Sequence, residues 1–460
     1  MRYRGLSDQE MQAFHANLDW VCNQLLLVAY NTLPAKVRRK DTGDRCIDAS
    51  PLKVFARQRG LDDTEAMSMP WAANYVRDED HLDPDEKTDP KPARRGPLEP
   101  RTNRFRRKRA ESYPALDLHT LVTSETSDPD RQYMPSLFGA MTTDRAALDP
   151  AGAARRTIAA HLNNGFTTGF LTGDMLYARA EASTFQKPAR EAGFRLILPI
   201  PKGHSGVQGS HESGFPWVDG TGHCPAIPEH LRDAINDYRN KRINHETFVK
   251  RIQARKKFEL KTKQNSDING VGERLGCGAA DHSLSVRCAL KPNSLNPPTR
   301  KNKDGEHVLI AGPDLRPEIT LPESQMTNGL PPTICQKQWV TIKPDDAAKD
   351  RQAIPVGDKH TDIYNRLRQS QEGGHGFAKD EAKEAIGTPG RRRVKTKVAQ
   401  QLFVAFLLAA ANLRKIRSFL AKATEDRNGD LYIDRPKRTG DHSRTGNPPG
   451  APPPDRDEAT

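Results

Sequence analysis

The chain has 460 residues, 35% of them apolar and 28% charged, with a formal net charge of +13. That length holds two or three ordinary domains, or one large domain with an insertion, and the low apolar share implies a real core diluted by long polar segments. Six cysteines are too sparse for a disulfide-stapled secreted scaffold, and the longest apolar run, Leu402 to Leu413, is too short to span a bilayer and contains Asn412.

The polar start MRYRGLSDQEMQAFHANLDW carries no secretory signal, so a cytoplasmic location and no membrane contact are expected. A basic surface suits a polyanionic partner such as nucleic acid.

In chain order, residues 8–35 predict an amphipathic helix with Leu18, Val21, Leu25 and Leu26 on one side. RCIDAS predicts a short strand in which Ile47 and Ala49 flank Asp48. Residues 78–112 are polar and largely basic, and they end in RTNRFRRKRAES, expected as a loop. Trp71 and Tyr75 are expected to support the strand after Asp48. ALDLHTLVT alternates as a strand, on which His119 is expected in the core or behind the site.

Residues 149–163 predict a helix with Asp149 as cap, Pro150 in the first turn, and Ala153, Ile158, Ala159 and Leu162 on one face. GFTTGFLTGD predicts a strand running out at Asp174. A helix over 178–191 and the apolar strand FRLILPIP follow. This alternation argues for a mixed α/β sheet with a parallel part.

Residues 202–350 are richer in Gly, Pro, Asn and Lys and read as an inserted subdomain, with one charged helix over 228–256. They hold Cys224, Cys277, Cys288 and Cys335, separated by 52, 10 and 46 residues. Structural Zn²⁺ takes four cysteines, usually in close pairs. These gaps favour scattered buried thiols, with a zinc site left open in a fold with long loops. His223 and His282 are weaker ligand candidates.

Helices are expected over 361–385 and 395–422, then a disordered tail from 425 to 460. On the first of these, Tyr364, Arg368, Glu372 and Lys379 fall within an arc of about 80° at about 100° per residue. A carboxylate flanked by cations on one helix face suits a metal and a phosphate together. A solvated face of ion pairs is the structural alternative.

The spacing Arg368, Glu372, Lys379 resembles the Tyr–Arg–Glu–Lys signature of bacterial insertion-sequence transposases of the Asp–Asp–Glu type, with Tyr364 one residue earlier than in that signature. RRRVKTKVAQQLFVAFLLAAANLRKIRSFL is similar to their closing helix. TGDMLYARAEASTFQKPAREAGFRLILPI is similar to their second-aspartate segment, with Asp174 and Tyr177. RCIDASPLKVFARQ is similar to their first-aspartate strand, and PWAANYVRDEDH and LDLHTLVT to the next two strands.

The resemblance implies a ribonuclease H-like mixed sheet with flanking helices and a large insertion before the glutamate-bearing helix. The implied division is a helical segment over 1–40, the first part of the catalytic domain over 41–201, the insertion over 202–350, and the closing helices over 351–424. It further implies Asp48, Asp174 and Glu372 as the ligands of two Mg²⁺ (or Mn²⁺) ions about 4 Å apart, with double-stranded DNA as transposon end and target. A homodimer on DNA and a nucleoid-associated location follow. Arg368, Lys379, Tyr364, Tyr177, Arg391 and Arg392 are the implied or expected phosphate contacts, and the run Arg104 to Arg109 could track a DNA backbone. Relatives carry a longer helical DNA-binding region before the first aspartate, so a truncated, inactive DNA-binding remnant is the alternative expectation.

Overall fold

The computed structural model describes residues 7–56, 73–77, 111–146, 149–265, 272–280, 285–296, 299–303, 305–309 and 314–435. Trp71, the run Arg104 to Arg109, His282 and residues 436–460 lie outside them, as does the side chain of Tyr75.

The N-terminal helix α1 (Asp8–Asn31) begins at a capping box, in which the Ser7 side chain accepts from the Glu10 amide while Glu10 reaches back to the Ser7 amide. The strands β1 (Arg45–Lys53), β2 (Ala73–Arg77), β3 (Glu111–Thr123) and β4 (Phe138–Arg145) follow. Helix α2 (Pro150–Asn163) starts where its sequence says, with the Asp149 carboxylate accepting from the Gly152 amide and Pro150 in the first turn. Next come β5 (Phe170–Thr172), the short helices α3 (Met175–Arg179) and α4 (Gln186–Glu191), and β6 (Arg195–Leu196).

These strands form one mixed sheet. Its order is β4–β3–β1–β5–β6, with β2 beside the first half of β3. β1 runs antiparallel to β3, and β3 antiparallel to β4, whereas β1–β5 and β5–β6 are parallel. Helices cover both faces. On one, α1 and α6 (Lys397–Lys422) bury Leu18, Leu26, Val404 and Leu408 against Leu116, Leu118, Phe138 and Met141. On the other, α2, α3 and α4 cover Ile47, Leu121, Ala140 and Leu171. Each fully buried side chain of this kind contributes about 1.5–3 kcal/mol.

Between β6 and the return of the chain, the expected single charged helix over 228–256 is not formed. Three short helices replace it, Glu229–Arg232, Ala234–Arg239 and His245–Arg255, the last capped by Asn244. Two three-stranded sheets flank them. The chain returns beside β6, where the Ala353 amide donates to the Leu196 carbonyl and the Gln352 side chain accepts from the Leu198 amide. Helix α5 (Asp358–Lys379) then leads to α6.

Other boundaries also shift. The expected 178–191 helix divides into α3 and α4, because the carbonyls of Tyr177, Ala178 and Ala180 turn to the buried Gln186 side chain. FRLILPIP pairs as a strand only at Arg195–Leu196. Val21 and Ala159, expected on apolar faces, are exposed. The expected tail begins instead with a hairpin, Thr424–Glu425 with Leu431–Asp434, whose second strand pairs with Arg131–Gln132.

Candidate functional site

Strand periodicity places the first aspartate. Side chains alternate along β1, so Ile47 enters the cluster under α2 while Cys46 faces α5. Cys46 packs against Ile363, Tyr364 and Leu367 of that helix. Two residues on, Asp48 meets Arg368, one helical turn after Tyr364, at 3.6 Å. Two further on, Ser50 accepts a 2.8 Å hydrogen bond from Lys379. Helix α5 therefore runs along one face of β1, and strand and helix register together bring Asp48, Arg368 and Lys379 to one groove.

Glu372 lies one turn beyond Arg368 and pairs with it at 3.4 Å. Its side chain is 63% exposed, against 17% for Asp48. The guanidinium of Arg368 thus lies between two of the expected metal-binding carboxylates. Its Nη1 is buried without a hydrogen-bond partner. Asp174 ends the turn after β5, the parallel neighbour of β1, and caps α3 by accepting from the Leu176 amide at 3.0 Å. Gly173 before it admits no side chain, since a Cβ there would stand 2.7 Å from the Tyr177 ring.

The electrostatics tie the three acids together. Burial pushes the Asp48 carboxyl up to about 6. Asp174 and Glu372 add to that push, while Arg368 and the Ala49 amide oppose it. Burial works against the charge on Arg368, but Cys46, Asp48, Tyr364 and Glu372 outweigh it and hold the guanidinium firmly protonated. Negative charge is therefore concentrated beyond what one arginine neutralises, which fits an added cation. Among the described residues, no group of three or more His, Cys, Asp or Glu side chains is gathered to hold a metal ion as it stands.

A buried polar network that sequence reasoning missed sets the helix against the sheet. Thr120 of β3 stands directly opposite Asp48 in the register. Its hydroxyl receives the Gln371 amide at 2.7 Å and bonds the His375 ring at 2.8 Å, while Gln371 and His375 lie 3.0 Å apart. Burial, with Lys379 and Arg368 adding, lowers the His375 pKa to about 3, so its ring is neutral at physiological pH. Gln371 and Thr120 carry no motif; only the strand register shows that they belong behind the site.

Several expected phosphate contacts are displaced. Tyr177 is fully buried, and its hydroxyl bonds His119 at 2.9 Å, so it cannot reach a ligand from there; His119 is a core residue, as expected. Tyr364 is also buried, stacked on His360, and burial raises its pKa. Arg392 is enclosed and donates to the Ile386 and Lys53 carbonyls at 2.8 and 2.9 Å, tying the end of β1 to the loop before α6. Arg391 beside it is exposed, as is Lys379.

In the insertion, Cys224, Cys277, Cys288 and Cys335 are not scattered but line one cavity. His223 is not among its lining residues; its ring bonds the Thr221 carbonyl. No helix among the described residues is long and apolar enough to cross a membrane. No family model matches this chain, and neither a curated protein nor a solved structure shows significant similarity to it.

Proposed function

We propose that this protein is a DNA transposase of the Asp–Asp–Glu type that cleaves and joins DNA strands at insertion-sequence ends. The observation that carries the reading is the grouping of Asp48, Asp174 and Glu372, from β1, the end of β5 and α5, close enough for both partners to raise the Asp48 pKa. A ribonuclease H-like fold is part of this proposal. Its supports are the first aspartate on the first strand, the second at the end of a neighbouring strand, and the glutamate on a helix packed against them.

Asp48, Asp174 and Glu372 would hold the Mg²⁺ or Mn²⁺. Divalent ions there supply Lewis-acid stabilisation of phosphoryl oxygens and lower the pKa of an attacking hydroxyl. The rest falls to the protein. Arg368, paired with both Asp48 and Glu372, keeps the acids from repelling one another. Lys379 and Arg391 are exposed cations available to a DNA backbone. Gln371, His375 and Thr120 fix the angle of the helix bearing Glu372. Two chains, one on each DNA end, are the expected working unit.

The test is strand nicking of DNA carrying the sequences that flank the gene. Wild type is expected to nick with Mg²⁺ or Mn²⁺ and not with a chelator. Asp174→Asn is expected to bind the same DNA without nicking it. Nicking by Asp174→Asn at the wild-type rate would remove the site assignment.

A further inference from the structure

The four cysteines of the insertion surround a cavity of about 20 Å³, room for one water-sized particle. It lies where two apolar clusters meet, with Val286, Leu290, Ile319 and Leu321 completing the wall. The local backbone repeats itself there. The amide of the third residue on donates to the cysteine carbonyl at Cys224 (from Ile227, 3.0 Å), at Cys277 (from Ala280, 3.0 Å) and at Cys288 (from Lys291, 2.9 Å). At Cys277 the amide two residues on also points at the sulfur, with Ala279 N 3.4 Å from Sγ, and Ala226 does the same for Cys224. The fourth sulfur comes from the short helix Thr333–Gln336, at Cys335.

We propose that Cys224, Cys277, Cys288 and Cys335 form a structural zinc site that binds one Zn²⁺ through four thiolates. Apolar packing alone gives no reason for widely separated loops to repeat one turn and aim amides at sulfur. An N–H donated to sulfur favours the thiolate, the form that binds metal.

As neutral thiols the four have no charge to draw them together. On binding, each S–H gives its proton to solvent and each sulfur donates a lone pair to zinc, at about 2.3 Å. Four protons leave and no electrons move. Lys291 at the wall and Lys263 nearby offset part of the remaining negative charge. Four protein ligands and an apolar wall leave no open position for substrate, so the role is structural.

The test uses the full-length chain, purified without chelator and desalted. Atomic emission is expected to find one zinc per chain. A mercurial thiol reagent should release that zinc as four thiols titrate. Co²⁺ exchanged into the wild type should give the near-ultraviolet sulfur-to-metal charge-transfer bands of a tetrahedral thiolate site. Cys277→Ser should lose the metal, while Cys22→Ser, outside the cluster, should keep it. If Cys277→Ser fails to fold, the wild-type Co²⁺ spectrum decides. A folded wild-type chain that carries no zinc and gives no such bands overturns the proposal, as does one in which these cysteines are paired as disulfides.

Discussion

The sheet groove and the cysteine cavity gather reactive side chains in opposite ways. In the groove, the acids sit on or at the ends of regular elements, and their spacing follows from strand and helix periods. A cation, Arg368, is already present among them, and Glu372 remains largely exposed. In the cavity, three of the four thiols sit on loops, apolar neighbours surround them, and burial disfavours the thiolates of Cys224, Cys277 and Cys335. The first arrangement carries charge and reaches solvent at Glu372, which suits the transient polyanion proposed for it. The second is enclosed by apolar side chains, as the proposed permanent clamp requires.

That contrast can be broken most forcefully at Glu372. Glu372→Gln is expected to lower divalent-dependent nicking by more than about 100-fold, beyond the ~10–100-fold cost of losing an outer-shell partner. Zinc content and thermal midpoint should not change, because the side chain is mostly in solvent. A fall in zinc content would show that the two regions are not independent.

A smaller effect separates two adjacent arginines. Arg392→Ala removes one buried and one part-buried hydrogen bond to carbonyls and should cost about 2–4 kcal/mol in urea unfolding. Arg391→Ala should stay within about 0.5 kcal/mol and instead reduce the salt dependence of DNA binding by about one unit of slope. Equal stability losses at the two positions would contradict the burial described here.

The mildest test is the pH dependence of the groove. The folded-state pKa of Asp48 is raised, to about 6 from 3.8. The folded chain therefore holds this proton longer than the unfolded chain does. Its stabilising contribution is complete below about pH 4 and is lost as pH rises through about 6. Asp48→Asn should match wild type near pH 4 and exceed it at pH 8 by on the order of 1–3 kcal/mol in metal-free buffer. Saturating Mn²⁺ should narrow that gap by stabilising wild type alone. A pH-independent difference between the two would show that burial and the neighbouring acids do not raise the Asp48 pKa.

How much was legible in the sequence follows the same divide. Asp149 and Pro150 announce a helix start because capping chemistry is local. The shared helix face of Arg368, Glu372 and Lys379, and the strand position of Asp48, are likewise periodic facts, and the groove is built from them. What stayed hidden needed contacts between distant segments. Tyr177 and Arg392 read as available polar groups until His119 and the Lys53 carbonyl claim them. The cysteine gaps suggested scatter because spacing speaks for a metal site only when one turn supplies two ligands. Here, separate turns supply one each. The 178–191 segment looks continuous because nothing local shows that the buried Gln186 side chain will hold the carbonyls before it.

The alternation of β1 also limits how this protein can change by insertion and deletion. Cys46 and Ser50 hold the strand to α5 from the same face as Asp48. Adding or removing a single codon between Cys46 and Asp48 would turn Asp48 and Ser50 together to the α2 side while Cys46 still faced α5. Only paired insertions or deletions preserve the facing. Lineages carrying this groove should therefore tolerate length variation freely in the connections around β1, and in even steps, if at all, within it.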